Sequence, residues 1–294
     1  MERRKPFWRD VRYVPYLYIL PNMILFMVFM IIPLMISFYY GFTKWNGIAA
    51  PEFIGLQNYV TIFRDKVFLK SIWNTISYTL LTVPLLMVLA LTFAMMLNLR
   101  MPLRGIYRSA IYLPAVVSTV IVGVVFLWIF NDQFGMINYL LSLFGGSKIK
   151  WNNDPNYAMV MIVVGTLWQR TGYNMVIYLA ALQGISPTFY EAAVVDGASG
   201  WQRFWYITLP MLKFTHIFVL ITCVVHSFRS FDLIYTMTRG GPLNSTKTLV
   251  MYVYETAFSK NYYGRASAAG VVLFFMVFVL TLFRLRAERE EKKS

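Results

Sequence analysis

A chain of 294 residues has room for two soluble domains, but 58% of its residues are hydrophobic and only 14% charged, where a soluble domain carries about 25% charge. Its mean hydropathy of +0.56 points instead to a chain solvated by lipid. The formal charge of +14 makes no nucleic-acid face, because the lysines and arginines sit in short clusters between long apolar runs. One cysteine, Cys223, and two histidines, His216 and His226, exclude a disulfide framework or a Cys/His zinc site.

A hydrocarbon layer of roughly 30 Å takes about 20 helical residues to cross. Six apolar stretches meet that length, at 16–43, 71–97, 110–130, 157–182, 214–237 and 264–283. The first follows Arg3, Arg4, Lys5, Arg9 and Arg12. It is far longer than a signal-peptide core of about 7–15 residues, so it is expected to remain as a helix, bent at Pro21 or Pro33. Pro84 and Pro114 fall inside the second and third stretches, where neighbouring helices must absorb the freed carbonyls. Six passages put both termini on one side. Fifteen lysines and arginines lie in segments on that side and ten on the other, which places both ends in the cytoplasm. Residues 1–15 and 284–294 are then cytoplasmic ends of a membrane domain over 16–283. Trp45, Tyr59, Trp151, Tyr157 and Tyr262 border the outer loops and suit the headgroup region.

The loop over 184–212, between the fourth and fifth passages, is out of character with the rest. Ser186 is placed to cap a helix with Pro187 at its first position, running to about Val195 and stopped at Gly197. A second helix is expected from Ser199 or Gly200 to just before Pro210. Phe189, Tyr190, Trp201, Phe204 and Trp205 give the pair more aromatic surface than a connector needs. The residues alone leave two readings open: a helix pair lying on lipid headgroups, or a docking surface for a cytoplasmic partner.

The run Glu191-Ala192-Ala193, three residues ending in Asp196, Gly197, nine residues and Ile207-Thr208-Leu209-Pro210 resembles the EAA loop of permease subunits in binding-protein-dependent ABC importers. Further on, Tyr235-Thr-Met-Thr-Arg-Gly240-Gly241-Pro242, then Ser245, Thr246, Tyr254, Ala257 and Phe258, resembles the carbohydrate-uptake branch, of the maltose large-subunit or glycerol-phosphate type. The resemblance covers nearly the whole chain. It departs from the maltose example in having six spans and short outer loops.

This resemblance implies an all-α membrane protein with the type I importer permease fold: six transmembrane helices and a cytoplasmic coupling helix. That helix sits in a cleft of the ATP-binding subunit and transmits its closure, with Glu191, Ala192, Ala193, Asp196, Gly197, Ile207, Leu209 and Pro210 as the coupling residues. The partners implied are a second permease in a heterodimer, two ATP-binding cassette subunits and an extracytoplasmic solute-binding protein. The solute implied is a saccharide, and the setting a bacterial or archaeal cytoplasmic membrane. The chain has no Gly-x-x-x-x-Gly-Lys-Ser/Thr loop of its own. It is therefore expected to bind no cofactor, with ATP and Mg on the partner, and to be a permease and not an enzyme.

Ionisable groups at membrane depth cost roughly 2.5–3.5 kcal/mol at a helix centre and so mark function. The fourth passage carries Thr166, Gln169, Arg170, Tyr173 and Asn174. In the fifth, Cys223, His226, Ser227 and Ser230 follow the i, i+3, i+4, i+7 spacing of one helical face, as Thr166, Arg170 and Tyr173 do in the fourth. Two polar faces at matching depth are what a solute passage needs. Plainer readings stand beside this one. Arg229 and Asp232, three apart, neutralise each other; Cys223 is a packing residue; Ser227 and Ser230 bond between helices. His226, Ser227 and Asp232 on one helix cannot meet as a hydrolytic triad. Arg170 has no carboxylate in its own span, so it either borrows Asp232 or binds an anion, which would make the oligosaccharide acidic. Import of a non-sugar solute is the alternative within this class. An ion-coupled secondary transporter would want intramembrane carboxylates in two related halves, and only Asp232 qualifies.

Overall fold

The computed structural model describes residues 14–99 and 101–291, with side chains over 16–99 and 101–282. Arg3, Arg4, Lys5, Arg9, Arg12, Arg100, Lys292 and Lys293, and the side chains of Arg284, Arg286 and Arg289, on which the expected orientation rests, lie outside the described residues. Among those described, the chain is helical apart from one short antiparallel ribbon. It divides into two compact units, one of residues up to Arg64 with Val253–Val272, the other of Asp65–Tyr252 with residues from Leu273 onward.

In the first unit, α1 (Val14–Phe26) and α2 (Ile32–Gly41) are joined by one π turn, Met27–Ile31, in which the Ile32 N–H reaches back to the Met27 carbonyl. The irregularity precedes Pro33 and not Pro21. A proline ring collides with the carbonyl four residues back, and the wider turn relieves that collision. Tyr16–Gly41 is 26 residues long, apolar enough to cross a membrane, and exposed along nearly its whole length. After it β1 (Thr43–Lys44) pairs with β2 (Glu52–Phe53), and α3 (Gln57–Arg64) comes next. The buried Asn58 amide donates to the carbonyls of Gly41 (3.0 Å) and Thr43 (2.8 Å) and so ties α3 to the ribbon.

The second unit is built on α4 (Lys66–Asn98) and α8 (Pro155–Gln183), which make the most extensive helix contact of the fold. Each is started by an aspartate cap: Asp65 accepts from the Val67 N–H at 2.8 Å and Asp154 from the Asn156 N–H at 2.9 Å. Between them lie α5 (Arg104–Tyr112), a 3₁₀ turn (Leu113–Val116), α6 (Thr119–Ile129) and α7 (Met136–Leu143). The chain continues with α9 (Pro187–Val195), α10 (Gly200–Arg203), a π turn (Phe204–Thr208), α11 (Leu209–Met211), α12 (Lys213–Phe228), α13 (Asp232–Thr238), α14 (Leu249–Tyr254) and α15 (Tyr263–Glu291).

Three expected passages are unbroken apolar helices, Tyr16–Gly41, Lys66–Asn98 and Tyr263–Leu282, and Pro84 leaves α4 intact. The third is not a single rod. Arg104–Val116 and Thr119–Ile129 meet at 98°. Gly172 permits this, since a Cβ there would lie 2.1 Å from the Ile111 carbonyl oxygen. The fifth also departs from a continuous 214–237 helix. α12 ends at Phe228, and the Ser230 carbonyl accepts from the Thr248 hydroxyl (3.4 Å), a bond outside the helix ladder. The fourth, α8, is long enough to span but too polar to qualify by composition.

Two apolar clusters hold this unit. One joins Tyr78, Phe126, Phe130, Met161, Ile162, Ile234 and their neighbours. The other joins Val83, Leu86, Ala90, Met175, Leu179, Leu212 and Val219. The polar middle of α8, from Thr166 to Asn174, lies between them. Trp151, expected at the headgroups, belongs to the first cluster. It is 9% exposed, edge-on to Phe130 at 5.0 Å, and donates its indole N–H to Asn138 Oδ1 at 3.0 Å.

Candidate functional site

The 184–212 loop begins as its residues dictate. Ser186 occupies the N-cap of α9, although its hydroxyl bonds Thr188 Oγ1 (2.8 Å) and not the helix backbone. Gly197, at φ +76°, ends α9 in a Schellman motif: its own N–H donates to the Val194 carbonyl and the Ala198 N–H to the Ala193 carbonyl. Ser199 and Gln202 form a capping box that starts α10. The second helix then passes Pro210 and ends at Met211. The π turn over Phe204–Thr208 widens the coil ahead of the proline, and a bend of 66° leads into α12. Ile207, Leu209 and Pro210 thus form the elbow. The Tyr190 hydroxyl bonds Thr208 Oγ1 at 3.0 Å and locks α9 to this elbow. Glu191, Ala192, Val194, Asp196 and Gly197 are exposed, and Val195 is 86% exposed.

The second site lies between the two apolar clusters. Thr166, Arg170, Tyr173 and Asn174 of α8 and His226 and Ser227 of α12 line one cavity of about 200 Å³, together with Thr82 and Leu86 of α4 and with Thr222 and Cys223. The structure therefore brings together most of the polar residues expected to form a passage. Gln169 is not among them: its amide donates to the Val117 carbonyl (3.0 Å) and Thr119 Oγ1 (3.1 Å) and anchors the bent third passage. Ser230 lies beyond the end of α12, 3.5 Å from the Tyr78 hydroxyl. Arg229 caps α12 and Asp232 opens α13, so the single-helix spacing that would pair them does not exist. Thr82, buried on α4, is a lining residue that the sequence did not single out. The polar positions Ser71, Thr75, Thr79 and Thr82 along α4 were a readable stripe of helical spacing.

Arg170 Nη2 is hydrogen-bonded to His226 Nε2. A guanidinium only donates, so Nε2 accepts and the imidazole carries its proton on Nδ1. The Asn174 amide donates to the Arg170 carbonyl (3.0 Å), and Cys223 Sγ donates to Asn174 Oδ1 (3.5 Å). Beyond His226 a more open space of about 460 Å³ is lined by Ile221, Thr222, Val225, His226 and Arg229. Among the described residues no group of three or more His, Cys, Asp or Glu side chains gathers to hold a metal.

A cavity lined by polar side chains of α4, α8 and α12, two of them long enough to span a membrane, with a helical elbow joining two of its walls, is the architecture of a solute permease. The chain belongs to the family of binding-protein-dependent transport system inner membrane components, whose model matches residues 54–289. It is 36% identical over 283 residues to the lactose transport system permease protein LacF of Rhizobium radiobacter, covering 94% of each chain. It is 34% identical over 286 residues to the arabinooligosaccharides transport system permease protein AraP of Bacillus subtilis, covering 95% of this chain and 91% of that one. The crystal structure of a bacterial ABC transporter involved in the import of the acidic polysaccharide alginate contains a chain that matches with a TM-score of 0.83. That chain is 27% identical, over 97% of this chain and 99% of its own length. The fold is that of a type I ABC importer permease. The chain is a membrane transport subunit and not an enzyme, and ATP is hydrolysed on a separate subunit.

Proposed function

We propose that this chain carries a saccharide through the cytoplasmic membrane as one of two permease subunits of an ATP-driven importer. The loop over 184–212 is its coupling element and the Arg170 cavity part of its solute path. The observation that carries this reading is connectivity. α8 ends at Gln183 and α12 begins at Lys213, so the loop joins the two helices that supply most of the cavity lining. Displacement of α9 by an ATP-binding subunit is thereby delivered to two walls of the cavity at once. The lactose, arabinooligosaccharide and alginate systems named for its relatives support a saccharide as solute. Its partners are a second permease, two ATP-binding cassette subunits that hold the ATP and Mg, and an extracytoplasmic binding protein; it binds no cofactor itself. Residues 16–283 form the membrane domain, with 1–15 and 284–294 in the cytoplasm.

The test uses Glu191→Ala and Gly197→Asp in the reconstituted importer. Within this chain nothing lies within 4 Å of a Cβ added at Gly197, and aspartate tolerates a left-handed backbone better than most residues. The fold therefore has little reason to object, and the effect is felt by the partner. Binding-protein-stimulated ATPase activity and uptake are expected to fall about tenfold with assembly intact. Full uptake by both variants removes the coupling assignment.

A further inference from the structure

We infer that the cavity selects a saccharide bearing an oxyanion, with Arg170 as the group that grips it and His226 as the group that aims it. The inference rests on the reading of this cavity as the solute path. Arg170 and His226 face each other across α8 and α12, and the donor-only chemistry of guanidinium makes His226 the neutral acceptor. The pair therefore carries one full positive charge that the histidine does not cancel. Among the described residues neither the cavity holding Arg170 nor the space beyond His226 is lined by an aspartate or glutamate. Asp232, the carboxylate nearest in sequence, stands on a different helix past the break, exposed.

A permanent cation at membrane depth is costly unless something of opposite charge meets it. The residues around it are otherwise suited to sugar hydroxyls: Thr82, Thr166, Thr222, Ser227 and Asn174, with the half-exposed ring of Tyr173. Arg229 lines the space beyond His226, so a second cation marks the same route. A guanidinium held by one edge to His226 keeps its remaining N–H groups for a forked grip on a carboxylate or a phosphate. The hydroxyls of a neutral sugar can accept those bonds, but only an oxyanion also matches the charge.

The experiment takes the complete importer in lipid nanodiscs and measures binding of glucose, glucuronate and glucose 6-phosphate by saturation-transfer NMR. The wild type is expected to bind at least one of the two anions about tenfold more tightly than glucose, and the two arms say whether carboxylate or phosphate is preferred. Arg170→Gln should bring the anion down to the level of glucose, while Arg170→Lys keeps part of the preference and guards against simple misfolding. A wild type with no anion preference, as when a carboxylate of the second permease occupies Arg170, overturns the inference, and so does a preference that survives Arg170→Gln. Stimulated ATPase activity is monitored on the same samples, and saccharide uptake on the same variants reconstituted in sealed proteoliposomes. If these persist without anion preference, the anion assignment alone fails. If no saccharide, charged or neutral, is taken up, the saccharide reading fails with it.

Discussion

Asn74 shows how a single side chain gives a sequence motif its shape. Its amide, 5% exposed on α4, donates to the carbonyls of Asn244 (2.8 Å) and Lys247 (2.9 Å). One position on, Thr75 Oγ1 accepts from the Leu249 N–H at 2.9 Å while donating to the Ser71 carbonyl. These bonds hold the stretch from Gly240-Gly241-Pro242 to Leu249, in which Leu243 and Asn244 take left-handed backbone conformations, as Arg239 does just ahead of it. The carbohydrate-branch motif is thus held against α4 by side chains about 170 residues away in sequence. Asn74→Ala strands two carbonyls and is expected to cost about 2 kcal/mol. A lowered thermal midpoint of the purified importer is the readout, and an unchanged midpoint would show that water replaces the amide there.

Among the elements, the right-angled third passage is the one that hangs on a neighbour. Gly172 lets the backbone of Ile111 and Tyr112 lie against α8, and Gln169, one turn earlier, holds the carbonyl of Val117 and the hydroxyl of Thr119. Gly172→Val would put its Cβ 2.1 Å from the Ile111 oxygen. Because the obstacle is backbone, a penalty of about 3 kcal/mol or more is expected, read as loss of folded protein in the membrane; normal accumulation would show that the bend has slack. This contrast explains what could be read in advance. The ends of α9 and the start of α10 were legible because Pro187, Gly197 and the Ser199–Gln202 box act within a few residues of themselves. The breaks at 117–118 and 229–231 were not, because α8 and the Thr248 hydroxyl act from a distance in sequence. The site divides the same way. Thr166, Arg170, Tyr173 and His226 were legible from helical spacing, whereas Gln169 and Ser230 were drawn off by partners that no local pattern reveals.

At the scale of the whole molecule, the two apolar clusters bracket a polar layer that only a folded bundle can tolerate. That arrangement bears on how the protein is made. Tyr16–Gly41 and Lys66–Asn98 each have a mean hydropathy of 2.5 over their best window, and each can partition from the translocon into lipid without help from another helix. α8 cannot do so on equal terms, since Arg170 alone costs roughly 2.5–3.5 kcal/mol at mid-membrane on insertion scales. Gln169 and Asn174 add to that burden. Its principal cover, α4, precedes it in the chain and is already in the bilayer when α8 is synthesised. Nascent chains carrying glycosylation reporters offer the check: the segment 155–183 alone should insert poorly, and should insert well when residues 66–98 are supplied ahead of it. Efficient insertion of the lone segment would mean that the lipid, and not α4, receives the arginine first. On this account the order of helices along the gene is an assembly schedule, in which a carrier of charge is synthesised only after the surface that shelters it.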